Sequence, residues 1–315
     1  MYPDFQYVFE ALTGHTMPSW LGLIKTFGFF VAIAFIAATY FITSEVKRQE
    51  QIGSLMPSVK RKTIGYLRYK HVKKQQVSEP QIKAVIIYPH QRINEIVMIS
   101  VVSGLIGAKI FNALETWQDF IQHPIASIFS TSGLTFYGGL ITAFVTIYFY
   151  SKKHGISFKN LCDAAAPALM LAYGIGRLGC HFAGDGDWGI FNSAYITAPN
   201  GKLLLASPQE YQNSLATASD YLKINFGSPS NVPHIFLPAP SWLPDWMVAM
   251  NYPHNVINEG IPINDCAGQY CSVLPIGVFP TPLYESITCI LLFSLLWLLR
   301  KRFKYPLQLF SITSY

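Results

Sequence analysis

The stretch WLGLIKTFGFFVAIAFIAATYFI, Trp20 to Ile42, decides the fold class. It is long enough to cross a bilayer, because ~20 helical residues rising ~1.5 Å each traverse a ~30 Å hydrocarbon core. It starts late, runs long and follows acidic residues with no basic one ahead of it, unlike a cleaved secretory signal, so a retained helix is expected. Similar apolar stretches recur at Ile93 to Leu114, Ser132 to Tyr150, Leu161 to Ala183 and Pro282 to Leu299. His123 to Thr131 has room for a short or re-entrant piece. The expected fold is therefore an all-α polytopic membrane protein with about 5–7 transmembrane helices. Composition agrees: the 315 residues are 51% hydrophobic and 13% charged, unlike an ordinary soluble domain.

Lysine and arginine are retained on the cytoplasmic side of a membrane, so their placement orients the helices. Eleven of the 23 lie between Ser44 and Arg92, including Lys47, Arg48, Lys60, Arg61, Lys62, Lys73 and Lys74. More follow the third span (Lys152, Lys153, Lys159) and the fifth (Arg300, Lys301, Arg302, Lys304). The stretch from Asp185 to Gly277 has only Lys202 and Lys223 against seven acids, so it faces outward. The basic stretch reads as a solvated loop on anionic headgroups. Nothing else in the chain supports a nucleic-acid site. The expected organisation is 1–189 with four helices and the basic cytoplasmic loop 44–92, an extracytoplasmic domain 190–277, and 278–315 with the last helix and a short basic tail.

The outward segment is rich in Pro, Asn, Ser, Tyr and Trp and reads as small, irregular or partly β. Prolines in SPSNVPHIFLPAPSWLPDW exclude a long helix there. Cys266 and Cys271, as CAGQYC, lie in this segment. A disulfide is the favoured reading for an oxidising compartment, with a zinc half-site as the alternative.

Charges beside apolar runs carry the chemistry. Glycines in SGLIGAKIF, SGLTFYGGLI and YGIGRLG let helices approach closely, but packing does not account for Lys109, Tyr137 and Arg177 among them. Arg177 near the end of its span, Asp185 and Asp187 in the glycine-rich turn beyond it, and Tyr284 and Glu285 at the start of the last span share one expected membrane depth. A guanidinium fork suits a phosphodiester, and a carboxylate beside it either orients the arginine or takes a proton. A purely structural arginine–carboxylate pair is the competing reading.

GLTFYGGLI at 133–141, GRLGCHFAGDGDWG at 176–189 and FPTPLYES at 279–286 together resemble the prolipoprotein diacylglyceryl transferase family. WLGL, GLIGAKIF, and Asp163 with Pro167 are smaller echoes, and the resemblance covers most of 20–300. It implies an enzyme of the bacterial inner membrane, its site facing the periplasm. That enzyme moves the diacylglyceryl group of phosphatidylglycerol onto the lipobox cysteine of a prolipoprotein, releasing glycerol phosphate, without metal or cofactor. Arg177 matches the family's lipid-phosphate arginine, Asp185 the acid of its glycine–acid step with Asp187 in competition, and Glu285 the glutamate of its Tyr-Glu pair. Tyr137, where many members have histidine, completes the expected catalytic set. Gly138, Gly139, Asp187, Tyr284 and Lys109 are expected to bind substrate with Arg177. Cys180 replaces an asparagine, Lys109 an arginine, and Val278 and Phe279 a basic pair. RKRFKYPLQLFSITSY is too short to form the further helix that members usually carry, so an inactive scaffold of the same fold is the alternative function. A small-solute transporter is disfavoured by the lack of an internal repeat.

Overall fold

The computed structural model describes residues 1–68, 78–129, 135–266, 268–303 and 305–313, with the side chains of 60–68, 78–84 and 129 not described. Lys73, Lys74, Lys304 and residues 130–134 of the expected features lie outside the described residues. Two compact units form, one from Met1–Ala37 and Leu169–Leu298, the other from Ala38–Ala168 and Leu299–Tyr315.

Two elements open the chain, α1 (Phe5–Thr13) and α2 (Thr26–Gln51). Asp4 caps α1 through the Tyr7 amide, and Gly14, at φ 70°, closes it. The first span starts at Thr26 rather than Trp20, because Ser19–Leu23 is a short 3-10 turn. Lys25 gives the reason: it pairs with Asp4 at 3.2 Å and donates to the Tyr270 hydroxyl at 3.1 Å, which keeps its charge out of the apolar helix.

The basic stretch is not a loop throughout. It continues α2 to Gln51 and then forms an antiparallel hairpin, β1 (Ser58–Arg68) with β2 (Ser78–Ile87). Next come α3 (Ile93–Glu115), α4 (Trp117–Gln122), α5 (Pro124–Phe129), α6 (Phe136–Lys153) and α7 (Phe158–Ala183). Among the described residues, three helices are long and apolar enough to cross a membrane: Thr26–Gln51, Pro89–Glu115 and Thr281–Arg302. The protein is mainly helical.

Helices α3 and α6 meet through glycines. A Cβ on Gly107 would lie 2.1 Å from Thr142 Oγ1, and one on Gly138 would lie 2.3 Å from Phe111 Cβ and 2.8 Å from the Gly107 carbonyl. Small residues are what permit such backbone proximity in lipid. Gly138→Val is therefore expected to separate the two helices at a cost of about 1–3 kcal/mol. Thermal unfolding in detergent should show a lower midpoint, and an unchanged midpoint would refute the close crossing.

Two carboxylates, one buried and one half-buried, anchor the rest of this unit. Glu45, its side chain 2% exposed, binds Arg48 at 2.6 Å and Arg300 at 3.0 Å. Asp163 accepts from the Leu307 amide at 2.5 Å and the Phe310 amide at 2.8 Å, capping α11 (Gln308–Thr313). A negative charge at a helix start meets the free N–H groups there.

Segment 190–277 holds β3 (Phe191–Thr197), β4 (Leu203–Leu205), α8 (Pro208–Thr217), α9 (Ser219–Phe226), β5 (His234–Ile235), β6 (Ile261–Pro262), β7 (Ser272–Val273) and β8 (Ile276–Val278). It leads into α10 (Thr281–Leu299). Strand β3 is central, antiparallel to β4 and β8 and parallel to β5. The segment is partly β, as expected, and also carries α8 and α9, which pack Tyr211, Leu215 and Leu222 on Phe191, Ile276 and Val278. Their signal is local: Ser207 and Glu210 cap each other's turn, with Pro208 at the first helical position. Cys266 and Cys271 are joined as a disulfide.

Burial raises the Tyr221 and Tyr252 phenols well above the usual tyrosine range, and for Tyr221 the Glu259 carboxylate, 2.6 Å from its hydroxyl, adds to the shift. A raised folded-state pKa means that their contribution is intact below the unfolded value near ~10 and is lost as pH rises beyond it. Tyrosinate absorbance should therefore stay incomplete above that pH until circular dichroism reports unfolding. Full ionisation of every tyrosine in the folded protein would contradict this.

Candidate active site

Tyr173, Arg177, Cys180 and Gly184 recur at spacings of four, three and four, so they share one face in the last turns of α7. Gly184, at φ 67°, ends the helix, its amide bonding the Cys180 carbonyl at 2.9 Å. Gly186, at φ 98°, turns the chain again, so the GDGD step needs both glycines. This sharp exit brings Asp187 back over Arg177.

Helix α10 supplies the other wall. A Cβ on Gly174 would lie 3.2 Å from the Ser286 carbonyl and 3.1 Å from Cys289 Cβ, so the glycine lets α7 and α10 cross closely. That crossing puts Glu285 opposite Arg177. Arg177 Nη2 donates to Glu285 Oε1 at 3.1 Å, and Nε lies 2.7 Å from Oε2 but off a hydrogen-bond direction. Nη1 pairs with Asp187. Tyr173 donates its hydroxyl to Glu285 Oε2 at 2.6 Å, completing a chain from Asp187 through Arg177 and Glu285 to Tyr173. The arginine side chain is 13% exposed, Glu285 40% and Asp187 57%. The guanidinium is thus held from one firm side and one open side.

Asp185 does not join the arginine. It accepts the Asp187 amide at 3.4 Å, and the Cys180 thiol nearby accepts from Arg177 Nη1 at 3.7 Å. Tyr252, its ring tilted at 33° to that of Trp188 with centroids 4.9 Å apart, lies 3.1 Å from His181 Nδ1 through its hydroxyl. Burial first, and the Asp185 charge next, hold that phenol neutral. Cys180, Asp185 and Asp187 bring ligand atoms within 4.8 Å of one another. The guanidinium bound to Asp187 opposes a cation there.

The expected site residues separate as follows. Arg177, Asp187 and Glu285 come together, with Asp185 beside them. Tyr284 donates to the Met247 carbonyl. Tyr137 is exposed at the start of α6, Gly138 packs against Gly107 and Phe111, and a Cβ on Gly139 would stand 3.0 Å from the Gly104 carbonyl. Lys109 donates to the Ser127 carbonyl at 3.3 Å, beside a mostly apolar cleft of ≈ 430 Å³ lined by Leu105, Ile106, Phe120 and Ile128. These four belong to the unit that does not contain Arg177. Tyr173 was not among the expected residues, although its place four residues before Arg177 was a usable signal.

Apolar helices of membrane-spanning length, one of which carries Glu285 at its start, together with the largely buried Arg177 of α7 held between carboxylates, define a multi-pass membrane protein with a polar site. The model of the prolipoprotein diacylglyceryl transferase family matches residues 63–314, and the chain belongs to that family. The matched region starts later than the sequence resemblance and takes in most of the basic hairpin. Among relatives, the phosphatidylglycerol–prolipoprotein diacylglyceryl transferase of Leptospira interrogans is 32% identical over 124 residues, covering 32% of this chain and 39% of the relative. The enzyme of the same name from Dehalococcoides mccartyi is 31% identical over 123 residues, covering 36% and 46%. That of Bacillus cereus is 34% identical over 92 residues, covering 29% and 34%. The aligned stretches thus span less than half the length of these relatives.

Proposed function

We propose that the protein transfers the diacylglyceryl group of phosphatidylglycerol to the lipobox cysteine of a prolipoprotein. The observation that carries this reading is the Arg177 fork, fixed by Glu285 and Tyr173 and open toward the exposed Asp187. The lipid phosphate replaces Asp187 on the fork, since that partner loses least on release to solvent. The substrate sulfur forms a bond to the terminal glyceryl carbon, the bond from that carbon to the phosphate oxygen breaks, and glycerol phosphate leaves. The guanidinium stabilises the leaving phosphate, and Asp185, not engaged by the arginine, takes the thiol proton. Asp187 returns to Arg177 as product leaves.

The remaining expected residues take supporting roles in this reading. Lys109 meets the lipid headgroup at the mouth of its apolar cleft, Tyr137 hydrogen-bonds substrate, and Gly138 and Gly139 keep the neighbouring backbone close. Tyr284 ties the last span to the outward segment. The helices number 5–7 across a bacterial inner membrane, with 1–189, 190–277 and 278–315 as successive regions and the site on the periplasmic side. Purified protein in detergent, given phosphatidylglycerol and a lipobox peptide, should release glycerol phosphate and lipidate the peptide. Absence of both products under conditions where a relative works would overturn the proposal.

A further inference from the structure

Residues 235–247, IFLPAPSWLPDWM, display apolar side chains that the core does not absorb. Trp242 is 78% exposed, and Ile235, Phe236, Leu237 and Trp246 are also exposed. Such a patch marks a surface that meets something apolar.

Its depth follows from α10. At ~1.5 Å per residue, the 19 residues of that helix extend ~28 Å, about the thickness of the hydrocarbon core, so its first turn stands at the membrane interface. The Tyr284 hydroxyl in that turn donates to the Met247 carbonyl, which ties the end of the loop to the same depth. The loop chemistry suits that level. It contains no lysine, arginine or glutamate, and its one acid, Asp245, accepts from the Tyr195 hydroxyl at 2.8 Å. Three prolines carry no N–H. The Leu237 amide bonds Asn192 Oδ1 at 3.1 Å, the Ala239 amide bonds the Tyr195 hydroxyl at 2.9 Å, and the Leu243 and Met247 amides bond the Pro240 and Pro244 carbonyls. These four amides, already satisfied within the protein, add less to the cost of entering the boundary than free ones would. Tryptophan, with an apolar body and one N–H, prefers the headgroup boundary.

We propose that the loop 235–247 is a membrane anchor. Its aromatic and aliphatic side chains seat in the headgroup–acyl boundary beside the first turn of α10 and hold segment 190–277 down on the bilayer. The inference rests on the membrane-spanning character of α10 and requires no catalysis.

The test uses the full chain in vesicles of phosphatidylcholine and phosphatidylglycerol, with and without acyl-brominated lipid. The fluorescence lost in Trp242→Phe reports Trp242, and because that side chain is exposed the variant should fold as the parent does. The larger part of this component should be quenched by brominated lipid and little of it by aqueous iodide. Iodide quenching without bromolipid quenching would overturn the anchor. As a second readout, p-benzoylphenylalanine at position 242 should cross-link to phospholipid on irradiation. Cross-linking to a second copy of the chain or to added lipobox peptide, in place of lipid, would also overturn it.

Discussion

Arg177→Lys should lower glycerol phosphate release by about 10²-fold or more, the range for loss of one preorganised donor to a developing anion. The lysine retains the charge, so the experiment isolates geometry. Arg177 now places Nη1 on Asp187 and Nη2 on Glu285, two directions that a single ammonium cannot span. Arg177→Ala should go further and abolish release. Both variants should remain folded, because Glu285 and Asp187 are exposed enough to be hydrated when the arginine is lost. Unchanged turnover in Arg177→Lys would remove the fork from the mechanism. The two aspartates should then divide by kinetics. Asp187→Asn frees the guanidinium and should act mainly on KM, whereas Asp185→Asn removes the proposed proton acceptor and should act on kcat. The reverse split would exchange their roles.

Glu45→Ala should destabilise the protein by about 1.5–3 kcal/mol, the range for losing hydrogen bonds to charged groups. Glu45 is held at once by Arg48, Arg300 and the Gln49 amide at 3.4 Å. Removing it takes a shared, buried carboxylate away from Arg48 and Arg300. Thermal unfolding of purified protein reads the loss. Replacing Glu45, Arg48 and Arg300 together by leucine should recover much of it, since apolar packing often equals a buried ion network. A loss below about 1 kcal/mol in Glu45→Ala would mean that the charges are hydrated.

Much of this was legible along the chain because the signals are local. Apolar runs located α3, α7 and α10 to within a few residues, since a lipid-facing helix must be apolar over its own length. The start of α2 is not legible in the apolar run, because Lys25 is accommodated by Asp4, a partner 21 residues away. Helices α8 and α9 carry only a short local signal, the Ser207–Glu210 capping box, in a segment whose prolines further along exclude long helices. Glu45 and Arg300 gave no local sign of pairing across 255 positions.

The sequence by itself determined a helical membrane protein, its family, and Arg177 as the residue to watch. Each rests on neighbours along the chain: apolar length, glycine turns, and charges set beside them. Only the tertiary structure decided that Asp187 rather than Asp185 pairs with Arg177, that Tyr173 joins through Glu285, and that Gly138 packs against α3. Those outcomes depend on how α7 crosses α10 at Gly174 and α3 crosses α6 at Gly107, and a crossing is set by the shapes of two surfaces at once.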